Sequence, residues 1–205
     1  MSEFVTIDPK KKSISYGVIL GVISLVASII SLYVLKSATS LFLSSAISAA
    51  LNYVLFVVVA CIFANSLRKY VGGYWDFSTA LKNIYIMLAI SAIISIVGIS
   101  LFNFAMPQVQ EESINNTMNL TIESLEKMGT NDEQIDSMVA MLEETKEAAG
   151  TISFGQILKG LGVSLIAYFI LALVLAAIFK REKPVFIKVE SSDNPHAWQD
   201  NKDQI

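Results

Sequence analysis

RKYVGGYWDFSTALK, residues 68–82, sets charge, paired glycine and aromatic rings between two long apolar blocks. Upstream, no charged residue falls between Ser37 and Leu67, and downstream none falls between Asn83 and Met106. A bilayer core about 30 Å thick takes about 20 apolar residues in a helix, because an unpaired backbone amide in lipid costs several kcal/mol. Each block is long enough to cross, so the run between them reads as a hairpin that turns the chain round at the membrane surface. Gly72 and Gly73 supply the backbone freedom for a tight reversal, and Tyr74, Trp75 and Phe77 suit the lipid–water interface. Arg68, Lys69 and Lys82 suit an anionic leaflet, and Asp76 is placed to cap the helix that follows.

Working outward, two further spans appear. Lys12 and Lys36 enclose 23 uncharged residues with the apolar body Ile14 to Leu35, and Lys159 and Lys180 enclose Gly160 to Phe179. "SATSLFLSS", residues 37–45, reads as a Ser/Thr-rich loop leading into a span from about Ala46 to Ser66. The run after Lys10, Lys11 and Lys12 exceeds the ~7–15 residues of a signal-peptide core and no A-x-A site follows, so it is expected to stay as a span. The chain of 205 residues is 54% hydrophobic and 16% charged, with mean hydropathy +0.57, too apolar for an ordinary soluble domain.

These readings give an all-α fold: an integral membrane protein with four transmembrane helices and an extracytoplasmic helical hairpin between spans three and four. The chain divides into a cytoplasmic N-terminal tail (1–13), spans one to three (14–106), the acidic outer hairpin (107–151), span four (152–180) and a cytoplasmic polar tail (181–205). Orientation follows from the cations. Placing the N-terminus, the 68–82 loop and the C-terminus in the cytoplasm puts 11 of the 15 Lys and Arg residues inside.

Three spans open on similar words. "ISYGVIL" (14–20) and "ISFGQIL" (152–158) echo each other, and "GYWDFSTALK" aligns with "GTISFGQILK". Ser15, Asp76 and Ser153 are the expected N-caps, and shared demands of helix entry explain the echo as well as a duplicated unit does. Small residues recur at helical spacing within the spans: Gly17, Gly21, Ser24, Ser28 and Ser31 in the first, Ser91, Ser95 and Gly98 in the third, Gly160, Ser164 and Ala167 in the fourth. Lipid supplies no hydrophobic drive between helices, so such stripes are expected to pack the bundle internally. Asn52 and Asn103 are placed to hydrogen-bond across helices.

In the outer segment Ile114, Met118, Thr121, Leu125 and Met128 form a helical stripe, Gly129 ends it, and Thr130 or Asn131 starts a second helix carrying Ile135, Met138, Val139 and Leu142. These stripes must face one another, the membrane surface or another protein. Met138 and Met141 share a helical face, where thioethers select Cu(I) in some proteins, but methionine at stripe positions reads as packing. "NNT" and "NLT" match glycosylation acceptors.

No Asp, Glu, Lys, Arg or His lies within a span, which lowers the reading as an ion-coupled transporter. Cys61 is the one cysteine and His196 the one histidine, so no disulfide within the chain, metal site or cofactor is expected. A net charge of −3 without a concentrated basic face excludes nucleic acid as a partner. An enzyme acting on lipid would have Asp76, Lys82, Arg68 and Tyr74 as its interfacial polar groups, which serve more simply as cap and anchors. After the cationic "KREKP", the end of the chain reads as a solvated tail with Trp198 and His196 in it.

The run R-x-x-x-G-G-x-x-x-F-x-x-A-L-K, carried here by Arg68, Gly72, Gly73, Phe77, Ala80, Leu81 and Lys82, resembles the bacterial four-helix membrane proteins called domain of unknown function 4199. The acidic "LEKMGTNDEQIDSMVAMLEETKE" and the last-span ending "AAIFKREKP" are similar as well. The resemblance covers nearly the whole chain and implies an inner-membrane protein of unassigned activity, with no catalytic residues to carry over. The expected function is non-enzymatic. Membrane lipids are partners, a protein partner is expected through residues 107–151, and the site is the loop Arg68, Lys69, Gly72, Gly73, Tyr74, Trp75, Asp76, Phe77 and Lys82. The alternatives are a small transporter or channel formed by an oligomer, and a lipid-headgroup-binding accessory subunit.

Overall fold

The computed structural model of the chain describes residues 8–150 and 154–182. Among the described residues seven α-helices follow one another: α1 (Pro9–Lys36), α2 (Leu41–Ala49), α3 (Leu55–Tyr70), α4 (Phe77–Ala105), α5 (Pro107–Lys127), α6 (Asp132–Gly150) and α7 (Phe154–Phe179). A single π-helical turn, Ala50–Val54, joins α2 to α3, so that Leu41–Tyr70 forms one continuous rod. Four helices are long and apolar enough to cross a membrane: Pro9–Lys36, Leu41–Tyr70, Phe77–Ala105 and Gly155–Phe179.

The helices start earlier than the apolar runs suggest. Ser15 lies inside α1 and donates its hydroxyl to Lys11 O (3.1 Å), while Asp8 is the cap, accepting from Lys10 N (3.0 Å) ahead of Pro9. Three lysines in the first turn hide that start, because the apolar run begins only after them. "SATSLFLSS" is likewise helical from Leu41, since Ser44 donates its hydroxyl to Ser40 O (2.8 Å) and so costs the membrane segment no free donor. Asp76 caps α4 as expected, accepting from Thr79 N (3.0 Å). The expected cap Ser153, the first two residues of "ISFGQIL" and the tail from residue 183 lie outside the described residues.

α1 and α4 form the spine, running parallel in a four-residue register. Ser13 meets Asn83, Gly17 meets Met87, Gly21 meets Ser91, and farther along Leu25 meets Gly98. A Cβ on Gly17 would stand 2.7 Å from Met87 O, and one on Gly21 would stand 2.8 Å from Ile94 Cβ. Ser95 donates to Gly21 O (3.1 Å), a bond that only this close approach permits. The Gly17/Gly21 face therefore packs within the chain.

α7 lies against α4 and α3 lies against α1. α3 buries Phe56, Ala60, Ala64 and Leu67, one helical row. That row closes on Ala80, Ile84 and Leu88 of α4 and on Ala172, Leu175 and Ala176 of α7. The core thus occupies the half of the bundle nearest the 68–82 loop. Stacked rings mark its edges: Tyr16 on Phe63 (4.7 Å) and Phe56 on Tyr168 (5.1 Å). Farther out, α2 touches α1, the π turn and α5, but neither α4 nor α7.

The π turn positions Asn52. Its side-chain amide donates to Ser31 Oγ (2.6 Å) and Ser48 O (2.9 Å), and its carbonyl accepts from Ser28 (3.0 Å). Asn103 does not do the same. Its Oδ1 is buried without a donor among the described residues, and nothing in the structure explains the residue there.

At the end opposite the loop, α5 packs across α1 and α2. Asn116 donates to Leu35 O (2.8 Å) and Ala38 O (2.9 Å), satisfying carbonyls where α1 ends, and Lys36 pairs with Glu112 (2.8 Å). Gly129, at φ +72°, closes α5 and turns the chain into α6. Ile114, Met118 and Leu125 are half-buried, as are Ile135, Val139 and Leu142. Among the described residues α6 contacts α5 alone, so these half-buried positions face one another, while Met128 and Met138 of the same stripes are exposed.

Substitution separates packed glycines from open ones. Gly21→Val inserts three carbons against Ile94 and is expected to destabilise the bundle by about 1–3 kcal/mol. Gly160 has nothing within 4 Å, and Gly160→Ala is expected to leave the thermal midpoint in detergent unchanged or slightly raised. Equal effects of the two would contradict the spine.

Candidate functional site

The 68–82 loop begins where α3 exhausts its hydrogen-bond ladder. Gly73 N donates back to Arg68 O (2.9 Å) and Gly72 N to Lys69 O (3.1 Å), the paired bonds of a Schellman ending. Both glycines have positive φ, +91° and +84°, a region other L-residues enter at a cost. This ending throws Tyr74 and Trp75 sideways, toward the end of α7.

Trp75 is fastened there by three hydrogen bonds. Its N–H donates to Arg181 O (2.9 Å), Arg181 N donates back to Trp75 O (3.1 Å), and the indole Nε1 donates to Phe179 O (2.8 Å). A helix leaves its last carbonyls without intrahelical donors, and Trp75 serves the end of α7 in that capacity. The residue is only 4% exposed and joins the core. The sequence reading put Trp75 at the lipid interface. The structure puts it beneath the loop, because a buried indole N–H needs an acceptor and α7 offers one at that depth.

The cations around it also have assigned partners. The Arg68 guanidinium lies over the Phe179 ring (5.8 Å) and donates to Asn65 Oδ1 (2.8 Å), and Arg181 lies over Tyr74 (5.5 Å). Lys12 Nζ sits 5.0 Å from the Tyr16 ring centre and 5.6 Å from that of Tyr70. These contacts stitch α1, α3 and α7 together at one end. Lys69 and Phe77 are exposed, as are Tyr74 and Asp76.

Asp76 holds α4. Besides the Thr79 amide it accepts the Thr79 hydroxyl (2.6 Å), and that hydroxyl, followed by the amide, holds the carboxyl below its ordinary range. The cap contributes above the unfolded carboxyl pKa and is lost as pH falls through the lowered folded value.

Lys82 belongs to a different neighbourhood from Arg68 and Trp75. It lines a cleft of about 350 Å³ with Lys10, Asp8, Ser78, Thr79 and Asn83. Among the hydrogen bonds and ion pairs of the described residues none joins Asp76, Lys82, Arg68 and Tyr74 to one another, so the loop divides into a latch on α7 and one wall of this cleft. Sequence reading missed Arg181, Lys10 and Lys12 as neighbours of the loop. The hydrogen bonds of Arg181 to Trp75 run through its backbone, which carries no residue signature, and its guanidinium meets Tyr74 only once that pairing is made. Among the described residues no group of three His, Cys, Asp or Glu side chains could hold a metal ion.

A family model described as Protein of unknown function (DUF4199) matches residues 15–181. No curated protein and no solved structure matches the chain.

Trp75 offers the sharpest test of the latch. Trp75→Phe keeps the ring and strands the Phe179 carbonyl, at an expected cost of about 1–3 kcal/mol, and Trp75→Ala should cost about 3–5 kcal/mol. Thermal unfolding in detergent measures both. Midpoints unchanged in both variants would show that α7 does not depend on the latch.

Proposed function

The chain belongs to the family of unknown function DUF4199, and from that premise we propose that it is a non-enzymatic inner-membrane protein that presents a helical hairpin on one side and a basic surface on the other. Both termini and the 68–82 loop lie in the cytoplasm in this reading, with α5 and α6 outside. The cation count supports that orientation.

The observation that carries the proposal is the anchoring of the hairpin. Asn116 and the Lys36–Glu112 pair seat α5 on α1, so α6 is held off the bundle on a fixed base. Met141 is 62% exposed, Met138 at the edge of the packed stripe is 38% exposed, and Met128 at the hairpin tip is 79% exposed. Exposed methionines amid acidic residues suit an adaptable protein contact. The engagement of Asn52 with three groups of its own chain supports a packing role over a place in a transport path.

One experiment addresses both sides. In a Cys61→Ala background, a membrane-impermeant maleimide bearing a photocrosslinker is applied to intact cells carrying a cysteine at position 132 or at position 76. Position 132 is expected to react and, on illumination, to give a discrete protein adduct, while position 76 stays unlabelled. Labelling at 76 alone would reverse the orientation, and a labelled 132 without any adduct would count against display to a protein partner.

A further inference from the structure

The face of the α1–α4 spine that carries Lys10 and Lys82 has an unusual sequence of chemistry along its length. At the basic end the cleft of about 350 Å³ is lined by one lysine from each helix, Lys10 and Lys82, together with Asp8, Ser78, Thr79 and Asn83. Among the described residues the ion pairs are Lys36–Glu112 and Lys127–Glu123, so neither Lys10 nor Lys82 has a carboxylate partner. The carboxylates nearby are engaged at home: Asp8 accepts from Lys10 N and Asp76 from Thr79. The floor is fixed, because buried Ser13 donates its hydroxyl to Pro9 O (2.9 Å) with Asn83 Oδ1 3.3 Å away, and buried Asn83 donates to Thr79 O (2.8 Å).

Below the lysines the same two helical rows turn aliphatic. Steps of four residues lead from Lys10 to Ile14 and Val18 on α1, and from Lys82 to Ile86 and Ile90 on α4. In a parallel pair these rows flank one side of the contact line, and Ile90 lies beside Gly17, its Cβ 3.0 Å from where a Gly17 Cβ would be. With no side chain at Gly17 the two helices close on each other there, and the aliphatic rows lie on either side of that tight seam. Ile14 and Val18 are 46% and 42% exposed.

We propose that this groove binds an anionic phospholipid, with its phosphate between Lys10 and Lys82 and an acyl chain along Ile14, Val18, Ile86 and Ile90. The site deepens the proposed basic surface and rests on that reading. Charge complementarity selects phosphate at the head, and the aliphatic rails select a lipid over a free phosphate ion. A volume of about 350 Å³ takes a headgroup while the chains stay in the groove and the surrounding bilayer.

Native mass spectrometry of the full chain, released from detergent micelles, reads retention directly. The probes are phosphatidylglycerol, diacylglycerol, phosphatidylcholine and inorganic phosphate. Phosphatidylglycerol is expected to be retained above the other three, and Lys10→Gln with Lys82→Gln should weaken retention roughly tenfold or more, the scale of two lysines acting on one anion at a membrane surface. Lys10→Arg with Lys82→Arg should restore it, and circular dichroism should show all variants equally helical. Retention unchanged in the glutamine pair, or inorganic phosphate displacing the lipid, would overturn the site. Equal loss from Lys11→Gln with Lys69→Gln would also overturn it while leaving the broader basic surface standing.

Discussion

Met87 O stands 2.7 Å from the point at which any side chain on residue 17 would begin, and that crowding sets the terms for the rest of the bundle. Within lipid, helices gain nothing from hiding oil from oil, so they associate through dispersion contacts and the few polar bonds that close packing permits. Gly17 and Gly21 let α1 reach the backbone of α4, and Ser95 then bonds Gly21 O directly. Once this parallel pair is fixed, α3 fills one flank with the Phe56–Leu67 row and α7 fills another with Ala172, Leu175 and Ala176.

The two ends of the spine are finished differently. At the loop end, a Schellman turn aims Trp75 at the open carbonyls of α7, and the Lys12–Tyr70 and Arg68–Phe179 pairs tie α1, α3 and α7. At the other end, Asn116 performs the equivalent service for α1, and in doing so seats the hairpin. Both devices satisfy orphan carbonyls at helix ends with a side chain from a distant segment. Each converts a local requirement of the backbone into a long-range link: one carries the basic surface, the other the acidic hairpin.

Much of this was legible in sequence because a bilayer imposes a length, and four uncharged stretches met it. Asp76 and Gly129 were readable for the same kind of reason, since an N-cap and a positive-φ turn demand particular residues. The small-residue stripe at Gly17 and Gly21 packs internally as its spacing suggests, whereas Gly160 and Ala167 of the stripe in span four are exposed. Helix starts were less visible: charge masked α1 before Lys12, and serine masked α2 before Ala46, although a serine hydroxyl can be satisfied by its own helix. Long-range pairing was not visible. Nothing in the letters tells that the Trp75 indole meets Phe179 O, or that the wall opposite Lys82 is Lys10, because those neighbours are set by how the spans associate.

The parallel α1–α4 contact is tested most directly by a disulfide between its ends. With Cys61 replaced by Ala, Ser13→Cys and Asn83→Cys replace side chains that meet at 3.3 Å. Mild oxidation in native membranes is expected to give a fast, quantitative bond within one chain, seen as a monomer of altered mobility that reverts on reduction. Absence of that bond, or its appearance only between two chains as a dimer, would contradict the spine and the groove along it.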